Sequence, residues 1–134
     1  MLHNTIEMRV RYGETDAMGV VYYGNYALYL EQRRTEWLRD LGYSYKELED
    51  SGIMLPVVQL KVDYKHSARY DELIRVTTRL KEIPTAKITF LYEVHNQEER
   101  LLCKAETTLV FIDKSTSRIR RAPNYLIEKI NELI

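Results

Sequence analysis

Asp16 stands in a turn-rich stretch, Gly13 to Gly19, and a helical pattern begins about seven residues after it, near Tyr23. A carboxylate this close to a helix start can sit beside backbone N–H groups that have no partner inside the helix. The pair suits an ester or thioester carbonyl. The acid attacks the carbonyl or activates water, and the amides stabilise the charge that develops on its oxygen. Taken alone, an aspartate in such a stretch also reads as a turn or N-cap residue bonded to nearby amides.

The remaining chemically capable residues are scattered. His3, His66 and His95 are far apart, with no ligand-like spacing to one another or to Cys103, so no metal site is expected. No histidine lies near Asp16 or the helix start in sequence. There is no G-x-S-x-G nucleophile elbow and no Gly-rich phosphate loop. Cys103 falls among the apolar residues of a strand pattern and reads as a small core residue. Tyrosine is abundant, with 11 Tyr against 2 Phe and 1 Trp, and Tyr12, Tyr22, Tyr23, Tyr26 and Tyr29 crowd the Asp16 region. Such rings either pack a core margin or subunit interface, or line an acyl or aryl pocket with polar tips.

Several elements must position these residues. Ile6, Met8, Val10 and Tyr12 alternate with charged residues, the period of a half-buried strand. From about Gly24 to Leu41 the pattern is helical, with Ala27, Leu30, Trp37, Leu38 and Leu41 on one stripe. Arg33 and Arg34 interrupt that stripe, which predicts a helix side facing solvent or a partner. Gly42 is a natural stop, and Ser44 with Glu47 forms a capping box for a short helix ending at Gly52. Strands are predicted over Leu55–His66, Leu73–Lys81, Ile88–Val94 and Leu101–Asp113, with a polar turn at Asn96–Glu99. Pro123 opens a last helix carrying Leu126, Ile127, Ile130, Leu133 and Ile134 on one stripe. Short turns favour antiparallel pairing, so the fold class is α+β: a five-stranded antiparallel sheet with one long helix on its concave face. The sheet's edge and the helix flank call for at least a dimer.

The chain has the length of one domain, 1–134, with no repeat or linker. Its formal net charge of +0 gives no field to recruit nucleic acid or an anionic membrane. No apolar run is long enough to span a bilayer and the N-terminus lacks a signal-peptide core, so neither membrane insertion nor export is expected. A lone cysteine rules out an intrachain disulfide and fits a cytoplasmic location.

The run from Tyr12 to Tyr26, YGETDAMGVVYYGNY, resembles the signature of hot-dog-fold acyl-CoA thioesterases related to 4-hydroxybenzoyl-CoA thioesterase, in the YbgC/FadM-like branch. Val62-Asp63-Tyr64 with Ala68-Arg69-Tyr70-Asp71, Val110-Phe111-Ile112-Asp113 and Arg120-Arg121-Ala122-Pro123 resemble its later blocks, in the same order. The resemblance implies a sheet wrapped around the long helix and a homodimer with one continuous sheet and sites at the interface. Dimers of such dimers are common in the family. It implies hydrolysis of an acyl-CoA thioester, with Asp16 as nucleophile or general base and the Tyr23 backbone N–H polarising the carbonyl. Several bacterial relatives carry His where this chain has Tyr23, which removes side-chain acid–base help there and leaves the backbone role.

Residues implied to bind substrate are Tyr12, Gly24 and Tyr26 around the acyl group, and Lys65, Arg69, Lys87, Arg118 and Arg120 for the coenzyme A phosphates. Arg118 and Arg120 fall where the hydroxybenzoyl enzyme keeps arginines near the nucleotide. Coenzyme A is part of the substrate, so no separate cofactor is implied. An acyl-carrier-protein thioesterase and a non-catalytic acyl-CoA or carrier-protein binding module are the competing readings on the same fold. A dehydratase or hydratase is disfavoured, because those need a site histidine. One fold hosts all of these.

Overall fold

The computed structural model describes residues 3–133. Strand β1 (His3–Arg9) is followed by 3-10 turns at Tyr12–Glu14 and Tyr23–Asn25 and then by helix α1 (Tyr26–Asp40). Next come α2 (Tyr45–Asp50), β2 (Ile53–Met54), β3 (Val57–Tyr64), β4 (Leu73–Leu80), β5 (Lys87–His95) and β6 (Leu101–Val110). The short strands β7 (Ile112–Asp113) and β8 (Arg118–Ile119) precede the closing helix α3 (Asn124–Leu133). Five strands pair antiparallel in the order β1-β4-β5-β6-β3, with α1 against one face. This is the hot-dog arrangement.

Alternation drives the packing. Ile74, Val76 and Leu80 on β4, and Ile88, Phe90, Tyr92 and Val94 on β5, are all buried on the side facing α1. Trp37 of α1 meets Phe90 edge-on at 5.0 Å between ring centres. Burying a large apolar side chain of this kind is worth roughly 1.5–3 kcal/mol, so the α1–sheet seam supplies much of the folding energy. Ser44 caps α2 by accepting from the Glu47 amide at 3.1 Å.

The helix stripe differs from its expectation. Ala27 is exposed, and the buried stripe runs Tyr26, Tyr29, Leu30, Arg33, Arg34, Trp37, Leu38. Arg33 and Arg34 are not on a solvent face: their side chains are drawn under the helix by polar groups that sequence periodicity does not reveal. Arg34 donates to the Tyr45 and Tyr92 hydroxyls at 3.0 and 3.4 Å, and Tyr92 shares a 2.7 Å hydrogen bond with Thr107. Arg33 is wholly buried, pairs with Asp40 at 3.3 Å, and leaves its Nε and Nη1 without partners. An incompletely satisfied buried charge opposes folding unless its geometry compensates, and apolar replacements are often neutral or stabilising. Arg33→Met is therefore expected to raise the unfolding free energy by about 1–2 kcal/mol in urea titration.

Other differences lie at strand ends. β1 stops at Arg9, and Tyr12 belongs to a 3-10 turn and is 77% exposed. The run Leu101–Asp113 is two strands, broken at Phe111, whose amide turns to the Ala86 carbonyl at 3.0 Å. Beyond the break, β2, β7 and β8 form a second small sheet that two-residue strands give no periodicity to foresee. Asp113 closes the β7–β8 turn: its carboxylate accepts from the Ser115 hydroxyl and from the Ser115 and Thr116 amides, which holds its pKa below the ordinary range. On α3, Leu126 and Ile130 are buried, Leu133 is exposed, and Ile134 lies outside the described residues.

Strand β3 is one of the sheet's two edges, β1 being the other. Val57, Val58, Leu60 and Tyr64 are all about half exposed, an apolar row beside unpaired backbone groups.

Candidate active site

Residues Thr15 to Val21 form a tight reversal. Thr15 and Val21 face each other as an antiparallel bridge, and the Asp16 amide donates to Val20 O at 2.8 Å. Gly19 returns the chain with φ +79, a conformation glycine adopts without penalty, and its amide donates to Asp16 O at 3.0 Å. One carboxylate oxygen of Asp16, Oδ1, accepts the Met18 amide at 2.8 Å. That is the ordinary Asx-turn role, and it occupies only part of the carboxylate's accepting capacity. Asp16 is half-buried.

The helix start faces this loop. The Tyr22 amide donates to Glu14 O at 3.0 Å, and the Asn25 amide to Tyr22 O at 2.9 Å. The intervening amides of Tyr23 and Gly24 take no backbone acceptor among the described residues, as the first donors of a helix should not. Gly24 leaves room for its neighbour: a Cβ at this position would stand 2.7 Å from the Tyr22 ring. Any side chain here would displace that exposed ring.

Tyrosines wall the site. Tyr64 donates from its hydroxyl to Tyr23 O at 3.1 Å, and its ring meets Tyr23 and Tyr26 edge-on at 6.2 and 5.4 Å. Tyr26 is buried and accepts the Ala68 amide at 3.2 Å. Burial raises the pKa of Tyr26 and of Tyr64, so both remain phenols; the Tyr64 proton is committed to Tyr23 O, and that of Tyr26 is left to offer. The segment 65–69 closes the floor, through Val21 N to Ala68 O at 2.8 Å and a bridge between Val20 and Arg69.

A cavity of about 270 Å³ opens at this junction, lined by Asp16, Met18, Val20, Val21, Tyr23, Tyr26, Tyr64, Lys65, His66 and Ser67. It joins Asp16, Tyr23, Tyr26 and Lys65, four of the residues singled out from sequence, with Gly24 and Arg69 adjoining. Tyr12 stands outside this lining and stacks edge-on against Tyr70 at 5.7 Å. Lys87, Arg118 and Arg120 are elsewhere in the protomer. Lys87 pairs with Val110, at the sheet end away from Tyr64, and Arg118 pairs with Asp113 in the small sheet. Sequence reasoning missed Tyr64 as a wall residue and His66 as a neighbour of Asp16. His66 corrects the inference that no histidine is near. It is fifty residues away in sequence and is brought in because β3 ends beside the Asp16 loop. Strand alternation at Val62-Asp63-Tyr64 was the available signal for Tyr64.

A larger cavity, about 300 Å³, lies on the sheet face away from α1, among Lys61, Arg79, Lys104, Asp63, Glu93 and Glu106. Its three cations and three anions cancel, and it holds no helix start and no apolar wall of rings. Among the described residues no group of three His, Cys, Asp or Glu side chains could hold a metal ion, and no helix is long and apolar enough to cross a membrane.

A family model described as the thioesterase-like superfamily matches residues 10–130. The chain is 30% identical over 125 residues to the acyl-CoA thioester hydrolase YbgC of Escherichia coli, covering 93% of each chain. It is 34% identical over 116 residues to the acyl-CoA thioesterase YbgC of Haemophilus influenzae, covering 84% of this chain and 85% of that one. Its fold superposes on a DHNA-CoA thioesterase from Staphylococcus aureus with a TM-score of 0.92 at 34% identity, covering 99% of this chain and 91% of that one.

Proposed function

This chain belongs to the thioesterase-like superfamily, and from that premise we propose that it hydrolyses an acyl-CoA thioester to the free acid and coenzyme A. The observation that carries the reading is the junction at Asp16: a carboxylate with accepting capacity to spare shares a cavity with Tyr23, whose amide, like that of Gly24, takes no backbone acceptor among the described residues. The thioester oxygen is placed against the Tyr23 N–H, with the Gly24 N–H beside it. Asp16 then acts as nucleophile, or as general base taking a proton from the attacking water. The tetrahedral oxyanion collapses and expels the CoA thiolate, a good leaving group. With water as the attacker this yields the free acid directly. With Asp16 as the attacker it leaves a mixed anhydride that water then hydrolyses to the free acid and the regenerated carboxylate. No activated alcohol and no separate cofactor is needed on either route. Tyr26 and Tyr64 border the acyl group, and Lys65 and Arg69 meet the carrier near the cavity mouth.

The distant cations fit this reading through a second copy. Pairing β3 with β3 of a partner, antiparallel about its centre, sets the partner's Val57 end beside this protomer's Tyr64 end. The Val57 end neighbours Leu109, and Lys87 pairs with Val110 next to it. The partner's counterparts of Lys87, Arg118 and Arg120 are thereby brought to the side of the Asp16 cavity, where CoA phosphates need them. A homodimer, with dimers pairing further, and a cytoplasmic location complete the proposal.

The test is a panel of short, long and aromatic acyl-CoAs, followed by thiol release. Cys103 stays silent in such an assay, since it is fully buried and burial pushes its thiol up to about 12. Turnover of at least one acyl-CoA is expected, and the best substrate defines the pocket. Release only from acyl-carrier-protein thioesters moves the substrate to that carrier. No release from either sinks the hydrolase and leaves a binding module.

A further inference from the structure

We propose that Glu14 is a positioning residue that fixes the distance between Asp16 and the amides of Tyr23 and Gly24. The inference rests on the reading of that pair as the hydrolytic centre.

Glu14 lies two residues before Asp16 and touches every part of the junction. Its backbone carbonyl accepts two hydrogen bonds from the helix start, from the Tyr22 amide at 3.0 Å and from Asn25 Nδ2 at 2.9 Å. Those two donors flank Tyr23 and Gly24, so the Glu14 peptide is the surface against which both free amides are held. Its side chain fixes that peptide in turn. Oε1 accepts the Arg11 amide at 2.8 Å and the Tyr29 hydroxyl at 3.1 Å, and Oε2 lies 3.5 Å from the Arg11 guanidinium. Tyr29 is buried one turn into α1, and its phenol is held protonated by burial and by the Glu14 charge, so it donates. One residue therefore ties the chain before the loop, the helix start and the helix body to the peptide that leads into Asp16.

Only 17% of the Glu14 side chain is exposed, and its polar contacts are to protein groups on these three sides. It is not among the cavity-lining residues and is placed to act through Asp16 rather than on substrate. Only its 3.5 Å pairing with the exposed Arg11 guanidinium uses the charge directly. Two of its three contacts are hydrogen bonds that a glutamine carbonyl accepts equally.

The experiment compares Glu14→Ala, Glu14→Gln and Tyr29→Phe with the wild type in two readouts. In steady-state hydrolysis of the best acyl-CoA, Glu14→Ala is expected to lower kcat about 100-fold with KM within about threefold, because an ångström of misplacement costs that much. Glu14→Gln should recover at least about tenfold of the loss, and Glu14→Ala should cost little more when Asp16 is already Asn, as residues acting as one unit are not additive. In native-state hydrogen exchange, the Tyr22 amide should exchange at least about tenfold faster in Glu14→Ala while the Phe90 amide is unchanged. A folded Glu14→Ala with kcat within threefold of wild type, or with unchanged Tyr22 exchange, overturns the proposal. If Glu14→Ala does not fold, Tyr29→Phe decides on the same two readouts. A wild type without turnover sinks the hydrolase reading alone, and the exchange readout still judges the clamp.

Discussion

Replacing Asp16 with Asn is expected to lower kcat for the preferred acyl-CoA by about 10³–10⁴-fold while leaving the affinity for free CoA within about threefold. The substitution is nearly isosteric. Asn keeps a carbonyl oxygen that accepts the Met18 amide, so the turn seen at 2.8 Å survives and the loop stays in place. What disappears is the charge. A neutral amide neither attacks the thioester carbon nor takes a proton from water, and this holds for both roles open to Asp16. A loss of 10³ corresponds to about 4.1 kcal/mol of transition-state stabilisation. The amides of Tyr23 and Gly24 are untouched, and one good oxyanion donor is worth about 2.7–4 kcal/mol, so residual hydrolysis above background should persist. Thiol release gives kcat, and calorimetry with CoA gives binding. A variant within tenfold of wild-type kcat would return Asp16 to the status of an Asx-turn residue.

The order of elements, the antiparallel sheet, α1 and the Asp16–Tyr23 juxtaposition were legible because each leaves a local mark. Alternation betrays β4 and β5, Ser44 and Gly42 punctuate the helices, and Asp16 lies seven residues from Tyr23, within reach of one loop. What was not legible depends on contacts between distant segments. Arg33 and Arg34 look like a solvent face because charge usually means water. Arg34 is instead buried by Tyr45 and Tyr92, eleven and fifty-eight residues away, whose hydroxyls satisfy it. His66 reaches the cavity through the register of β3 on β6, which no single strand encodes. Lys87, Arg118 and Arg120 share a sequence logic with Lys65 and Arg69 but not a place in the protomer. In the proposed dimer their role turns on which edge of the sheet meets the second copy, and the one mark of that in the chain is the apolar row of β3, half exposed in the protomer.

Leu60→Asp tests that edge, and its expected effect is loss of both the dimer and the activity from a protomer that remains folded. Leu60 lies near the middle of β3 and is 47% exposed in the protomer, so the core does not depend on it. In an antiparallel β3–β3 seam the strand centre is where each copy meets its own equivalent, which would bring two introduced carboxylates together. Like charges across a strand pair destabilise, and a carboxylate moved from water into an apolar seam costs several kcal/mol more. Three kcal/mol already weakens dimerisation by more than about 100-fold. Sedimentation at micromolar concentration should show wild-type dimers or larger, and monomers for Leu60→Asp, with unchanged circular dichroism. Activity should fall with the dimer, since the cations at Lys87, Arg118 and Arg120 then have no neighbouring Asp16 cavity to serve. The loss should appear first in KM for the CoA thioester, because in the proposed dimer the chemistry at Asp16 lies within one chain, whereas Lys87, Arg118 and Arg120 would reach the phosphates from the second. A monomeric variant with wild-type kcat and KM would put the whole site in one protomer. The cations would then be ordinary surface charge, and β3 an edge without a catalytic purpose.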